Sequence, residues 1–141
     1  MQESLSITLK NDRMEIPRLA QIVSDFCNRN GLAALESDLN LALEEIVINV
    51  IKHGYADQEE HDIAVTFWLE PAVLTVRVED DGVPFNPLDA PPADISSPVE
   101  KRRPGGLGVY LVRNLMDELE YQRSGNKNVF VMKKHTKGGG L

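Results

Sequence analysis

The sequence predicts a two-layer α/β (α+β) sandwich, with a mixed, mostly antiparallel sheet and helices packed on one face. Segments with the apolar–polar alternation of half-buried strands are separated along the chain from segments with the apolar spacing of helices. Their order, β-α-α-β-β-loop-α-β-β, segregates the helices from the sheet and favours this architecture. A length of 141 residues corresponds to a single domain, 1–141.

The first strand and helix are predicted from the N-terminal residues. Residues 4–10 alternate apolar and polar side chains, as a half-buried strand does. Asn11 or Asp12 is suited to cap the helix that follows, and Pro17 suits its first turn. Gly31 is expected to end this helix.

The second helix is predicted to start with Ser37 as its cap and to run to about His53. It is apolar around most of its circumference, which indicates that it is packed inside the protein. Glu45, Asn49 and Lys52 fall on one narrow stripe at about 100° per residue. Such groups are costly in an interior unless they pair with one another or line a cavity. A lone histidine such as His53 is more often a structural residue than a ligand.

Two of the groups on this stripe suit a nucleotide site. The side-chain oxygen of Asn49 is a hard, neutral ligand of the kind Mg²⁺ takes together with waters and phosphates. Glu45, one turn earlier, can accept a proton from an attacking hydroxyl. Their i, i+4 spacing puts both on one side of a single bound nucleotide.

A hairpin follows, and its second strand ends in an acidic turn. Residues 62–69 and 73–80 alternate like antiparallel strands, joined by a short turn at residues 70–71. Asp80 can accept a hydrogen bond from an exocyclic amine such as that of adenine, and Gly82 permits a close backbone approach. A plain Asp-Gly turn is the alternative.

A long loop leads into a third helix. Residues 82–105 contain six of the 8 prolines, and a loop of this length is functional or mobile. Gly105, Gly106 and Gly108 then open a helix with the sequence GVYLVRNLMDEL, residues 108–119. The N–H groups and the dipole at its start can face phosphate. Arg103 adds positive charge nearby. An ordinary loop–helix junction is the alternative.

The chain ends in a second hairpin and a tail. Residues 118–123 and 127–134 alternate like strands around a turn at residues 124–126. Residues 135–141 are expected to be a flexible tail.

Composition disfavours several classes of protein. A net charge of −7 repels nucleic acid and anionic membrane, so neither is expected as a direct partner. The single cysteine excludes an internal disulfide and a cysteine-rich zinc site. The N-terminus lacks the pattern of a signal peptide, and no apolar run approaches ~18 residues. A cytoplasmic location is therefore expected.

Taken in order, the motifs resemble the GHKL (Bergerat) ATP-binding fold, the histidine-kinase-like ATPase superfamily that includes gyrase, Hsp90, MutL and histidine-kinase catalytic domains. They are E-x-x-x-N-x-x-x-H-G-Y at residues 45–55, D-x-G at 80–82, a long lid and G-x-G at 106–108. The strings DDGVPFNP and GLGVYLVRNLMDELEY resemble more particularly the small anti-sigma-factor serine kinases, the RsbW/SpoIIAB group. The resemblance covers about residues 5–134.

This resemblance implies ATP and Mg²⁺ as cofactors and a role for each site residue. Glu45 would be the general base for a substrate serine or water, Asn49 would coordinate Mg²⁺, and Asp80 would bind the adenine amino group. Arg18 matches an arginine that contacts the partner protein, although a solvated surface charge is the alternative. Residues 82–105 would form the ATP lid. The other implied nucleotide-binding residues are Lys52, His53, Gly82, Arg103, Gly105, Gly106, Leu107 and Gly108.

The implied function is that of an anti-sigma factor kinase. Such a protein phosphorylates a serine on a STAS-domain anti-anti-sigma factor, sequesters a sigma factor in a partner switch, and commonly forms a homodimer. One alternative is a nucleotide-gated binding module without kinase activity. A second alternative is a histidine-kinase catalytic domain, which is disfavoured because no helix bearing a phosphoacceptor histidine precedes the motifs. A third is a domain with no ligand.

Two departures from the family pattern are visible. Pro84 stands at the last glycine of the usual D-x-G-x-G, although a Pro-Phe form is common in this subgroup. A Gly-Thr pair often found before the last strand is absent, and residues 125–128 read Gly-Asn-Lys-Asn instead. This second departure puts the family's threonine contact with adenine in question.

Overall fold

The computed structural model describes residues 3–55, 57, 59–89 and 106–136. The predicted order of strands and helices is confirmed in these residues. The elements are β1 (Glu3–Lys10), α1 (Ile16–Arg29), α2 (Glu36–His53), β2 (Asp62–Glu70), β3 (Val73–Asp80), α3 (Gly106–Leu115), β4 (Glu118–Ser124) and β5 (Lys127–His135). Short 3-10 turns lie at Arg13–Glu15, Ala33–Leu35 and Pro87–Asp89.

The strands form one five-stranded sheet in the order β1-β2-β3-β5-β4. Every neighbouring pair among the described strands is antiparallel, so the two-layer sandwich is confirmed and the expected mixed character of the sheet is not found there. Tight hairpins join β2 to β3 and β4 to β5, and hairpins always give antiparallel neighbours. In the β3–β5 register, Asp80 lies opposite Asn128.

The core lies between one face of the sheet and the helices. Alternate residues of β3 are buried, as the sequence pattern predicts. The rings of Phe26 on α1 and Phe67 on β2 lie 5.1 Å apart and join the two layers. Burying side chains of this size stabilises the fold by about 1.5–3 kcal/mol each. The largest buried side chains also include Leu9, Leu19, Leu43, Ile46, Ile63, Leu74 and Met132.

Two helix starts differ in detail from the prediction. The expected cap at Ser37 is wrong, because α2 begins at Glu36 and the preceding Leu35 makes no side-chain cap bond. Acidic residues in this first turn complement the helix dipole instead. Asp12 does act as a cap, since its carboxylate accepts from the Met14 N–H at 2.9 Å, but it caps the 3-10 turn that leads into α1.

Two predicted boundaries in the last third of the chain also differ from the structure. The third helix ends at Leu115, because the next free N–H, that of Asp117, donates to the Lys133 carbonyl at 2.9 Å and starts the sheet pairing. The prediction that the tail starts at residue 135 is too early, because His135 belongs to β5 and the Thr136 N–H donates to the Ala72 carbonyl.

Several sequence predictions concern residues outside the described part of the chain. They are the lid from residue 90 to 105, which includes Arg103 and Gly105, and the tail from 137 to 141. Among the described helices, none is both long enough and apolar enough to cross a membrane.

Candidate functional site

Asn49 of α2 and Asp80 of β3 line the same small cavity between the helical layer and the sheet. Both are polar residues in an apolar surrounding, with only 7% and 4% of their surface exposed. The other walls include Ile46, Val50 and Val78. The structure thus brings together the two residues for which the sequence predicts contact with Mg²⁺ and adenine.

One oxygen of Asp80 is held by the protein, and the other is available. Oδ1 accepts hydrogen bonds from the Gly82 N–H at 2.9 Å and from the Asn128 amide nitrogen at 3.0 Å. Within the described residues no hydrogen bond engages Oδ2. A carboxylate oxygen of this kind can accept a hydrogen bond from the amine of a bound base.

The H-G-Y and D-x-G motifs meet backbone to backbone. A Cβ atom on Gly82 would lie 2.5 Å from the Gly54 carbonyl oxygen, closer than real Cβ contacts allow. The Val83 N–H donates to that same carbonyl at 2.9 Å. The absence of a side chain on Gly82 therefore sets how closely the turn that follows β3 approaches the end of α2.

Glu45 and Lys52 stand outside the cavity. Glu45 is half-buried, lies one turn before Asn49, and is not part of the cavity wall. Lys52 is exposed. The described residues contain no hydrogen bond or ion pair joining Glu45 to Lys52 or to Asn49, so the alternative of a self-satisfied polar pair is not observed.

His53 contacts the segment that begins the lid. It is exposed, and its ring stacks on that of Phe85 at 5.1 Å. Phe85 and Pro87 form part of the cavity wall, and the cavity has about 20 Å³ of free volume, room for about one water molecule. A purine is much larger than water, so its entry requires lining residues to move.

The first turn of α3 contains Gly106, Leu107 and Gly108, as the sequence predicts for a phosphate-facing helix start. This helix packs against α2, the helix that carries Asn49. Unpaired N–H groups and the helix dipole at such an end attract phosphate oxygens.

Arg18 lies on the surface of α1. Its guanidinium donates to the Glu15 carboxylate at 3.2 Å and to the Thr8 carbonyl at 3.1 Å. It is half-exposed and does not line the cavity. This position is compatible with a partner contact and with an ordinary surface charge.

Sequence reasoning missed three residues of the last hairpin. Tyr121 and Asn128 line the cavity, and Arg123 donates to the Gly82 carbonyl at 2.8 Å. A signal for Asn128 was present, because it shares the inward side of an alternating strand with Phe130 and Met132. A polar residue at a core position of a strand requires partners and often marks a site.

Comparison with known proteins supports the same interpretation. The histidine kinase-like ATPase domain family matches residues 9–134. The chain is 31% identical to Serine-protein kinase RsbW of Listeria monocytogenes over 123 residues, covering 83% of this chain and 76% of that protein. It is 33% identical to Serine-protein kinase RsbW of Bacillus cereus over 132 residues, covering 85% and 82%. The chain therefore belongs to the histidine kinase-like ATPase family.

Proposed function

We propose that this protein is a Mg²⁺- and ATP-dependent serine/threonine protein kinase that acts as an anti-sigma factor. It phosphorylates a serine on a STAS-domain anti-anti-sigma factor and sequesters a sigma factor. The observation that carries the proposal is the cavity shared by Asn49 and Asp80, in a chain whose relatives are named serine-protein kinases.

The residues present suit Mg²⁺ and a purine nucleotide. The Asn49 amide makes no hydrogen bond within the described residues, so its oxygen is available to hold Mg²⁺ together with phosphate oxygens and waters. When bound, the ion neutralises charge on the phosphates. Oδ2 of Asp80 is available for the amine of adenine, and the glycine-rich start of α3 suits the phosphates.

Glu45 is the proposed general base. It lies on the same helix as Asn49 but outside the cavity wall, half-exposed to solvent. A base for a protein substrate has to reach a hydroxyl that arrives from solvent, so this placement suits it. Proton abstraction of this kind contributes typically ~10²–10⁴-fold to the rate.

The proposed partners contact the surface rather than the cavity. Arg18 lies on α1 near Met14, which is 80% exposed. An exposed methionine beside charged side chains suits a protein contact, since Met adapts to different partner surfaces. We also propose a cytoplasmic homodimer, to which the first helix and the edge strand β1 contribute.

The first test removes the proposed base. We expect Glu45→Ala to lose phosphate transfer to a STAS-domain partner by about 10²–10⁴-fold while ADP affinity changes little. The measurement is incorporation of labelled phosphate from ATP, with acid treatment to distinguish phosphoserine from acid-labile phosphohistidine. The control is Glu44→Ala, which changes the preceding residue of α2, about 100° around the helix. Unchanged transfer by Glu45→Ala excludes this role.

The second test concerns the proposed metal ligand. We expect Asn49→Ala to lose the Mg²⁺-dependent part of ATP binding, because no other side chain is proposed to hold the ion. Calorimetric titration with ATP, with and without Mg²⁺, measures this difference. Asn40→Ala, on the same helix, is the matched control. A variant that keeps its full response to Mg²⁺ contradicts the assignment.

A further inference from the structure

Asn128 is a buried asparagine in the last strand, and it lies directly opposite Asp80. Only 5% of its surface is exposed. Its side chain faces the cavity that also contains Asn49. A buried amide is costly unless its hydrogen-bonding groups find partners, so each of these groups is expected to have one.

Every hydrogen-bonding position of the Asn128 amide is used. The amide nitrogen donates to Asp80 Oδ1 at 3.0 Å and to the Val83 carbonyl at 2.8 Å. The amide oxygen accepts from the Phe85 N–H at 3.2 Å and from the Tyr121 hydroxyl at 2.5 Å. A reversed amide would set its oxygen against Asp80 Oδ1, so these partners define its orientation.

These contacts decide which part of Asp80 is left for a ligand. The Asn128 amide nitrogen and the Gly82 N–H both donate to Oδ1, and these two hydrogen bonds hold the carboxylate group in one orientation. Oδ2 is the oxygen that accepts no hydrogen bond from the part of the chain that the structure describes. Since a carboxylate oxygen only accepts, it favours a base with an amine at this position over one with a carbonyl oxygen.

The same amide also bonds the segment that contributes Phe85 to the cavity wall. Its bonds to the Val83 carbonyl and the Phe85 N–H fasten residues 83–85 beside Asp80. Phe85 is one of the residues that line the cavity. One side chain therefore contacts both the proposed base-recognising carboxylate and the start of the proposed lid.

We propose that Asn128 is a positioning residue for purine selection. It orients Asp80 toward the exocyclic amine of a 6-aminopurine and fastens residues 83–85 against the same site. This inference rests on the proposed nucleotide function and goes beyond it, because it assigns base selectivity to a residue of the last strand.

The first experiment measures selectivity between ADP and inosine diphosphate, which carries an oxygen in place of the 6-amino group. We expect the unsubstituted protein to prefer ADP by at least about tenfold, the scale of one hydrogen bond to a charged group. Asn128→Asp keeps size and acceptor but places a second carboxylate against Asp80, so we expect the ratio to fall toward one. Asn28→Asp, the same change on the exposed side of α1, should leave it unaltered.

The second experiment needs no nucleotide. Hydrogen exchange of the Phe85 amide should be faster in Asn128→Leu, which removes its acceptor, and close to normal in Asn128→Asp, which keeps it. A residue that only stabilises the fold would instead alter exchange throughout β3 and β5 in both variants. Thermal unfolding confirms that each variant is folded.

The outcomes separate this inference from the proposed function. A folded Asn128→Asp protein with undiminished preference for ADP overturns the assignment, and so does unchanged Phe85 exchange in Asn128→Leu. If the unsubstituted protein binds neither ADP nor ATP, the proposed function and the selectivity role both fail. The hydrogen-exchange experiment still tests the contact between Asn128 and residues 83–85.

Discussion

Gly54 and Gly82 touch through their backbones where α2 and β3 end beside the cavity. The Gly54 carbonyl accepts from the Val83 N–H, and a side chain on Gly82 would collide with that carbonyl. Glycine is needed at position 82 for space rather than for an unusual backbone angle. The H-G-Y motif and the D-x-G motif, which are separate in the sequence, are thus in direct contact in the structure.

We expect Gly82→Ala to lower the free energy of unfolding by about 1–3 kcal/mol, because the colliding atoms are all backbone and have to shift. ADP affinity should fall as well, since Asp80 is held by the Gly82 N–H. Chemical denaturation and calorimetry measure the two effects.

The control for this change is Gly125→Ala in the β4–β5 turn. Gly125 has a φ of +60° and open space around it, so alanine there costs about 1–2 kcal/mol of backbone strain. Its ADP affinity should stay normal because the turn is not part of the cavity wall. Equal loss of ADP binding in both variants contradicts the proposed role of the Gly54–Gly82 contact.

The loop between α2 and β2 is held to the end of β3 by a group of four residues, Tyr55, Asp57, His61 and Asp81. In this His61 cluster, the His61 ring stacks on Tyr55 at 4.1 Å, and its nitrogens contact Asp57 at 2.9 Å and Asp81 at 3.3 Å. Burial, together with the carboxylates of Asp80 and Asp81, raises the pKa of the Tyr55 hydroxyl, so it stays protonated.

The His61 cluster predicts a dependence of stability on pH. The hydrogen bond with Asp57 raises the pKa of His61 above its ordinary 6.5, so its contribution is fully present below pH 6.5. That contribution is lost as the pH rises through the higher folded-state pKa. The Glu59 N–H and His61 lower the pKa of Asp57, so its contribution is lost only as the pH falls below 3.8.

We therefore expect the difference in thermal midpoint between the unsubstituted protein and His61→Gln to be largest near pH 5–6 and to shrink toward pH 9. Thermal unfolding across this range measures it. His135→Gln removes an exposed histidine whose contact with Glu118 is longer, 3.4 Å, and serves as the control. A difference that grows with pH contradicts the ion pairs of the His61 cluster.

At the scale of the whole molecule, the site lies where the two layers meet. Asn49 comes from the helical layer, whereas Asp80 and Asn128 come from adjacent strands of the sheet. Their relative positions depend on how the layers pack, and the Phe26–Phe67 pair is part of that packing. Stability of the core and geometry of the site are therefore linked.

We expect Phe67→Ala to lower the free energy of unfolding by about 3–5 kcal/mol, because it leaves a cavity between α1 and the sheet. Leu41→Ala, at an exposed position of α2, should change it by less than about 0.5 kcal/mol. Urea denaturation measures both. Similar losses in the two variants would indicate that the layers are not packed through this aromatic pair.

Much of the fold follows from local periodicity. Alternation located the five strands, and apolar spacing located the helices, because each pattern reflects which side of an element is buried. Element ends were less predictable: α2 begins at Glu36 without the expected Ser37 cap, and α3 stops at Leu115 where sheet pairing competes for the next N–H.

The sequence by itself determined which chemistry the site residues offer, because a carboxylate, an amide and a glycine-rich helix start are properties of residue type and spacing. Only the tertiary structure decided which of them share a cavity. It placed Asn49 beside Asp80, left Glu45 and Lys52 outside the cavity wall, and added Asn128 from the far end of the chain. Strand register and layer packing are long-range properties, and no local pattern encodes the meeting of residues 49, 80 and 128.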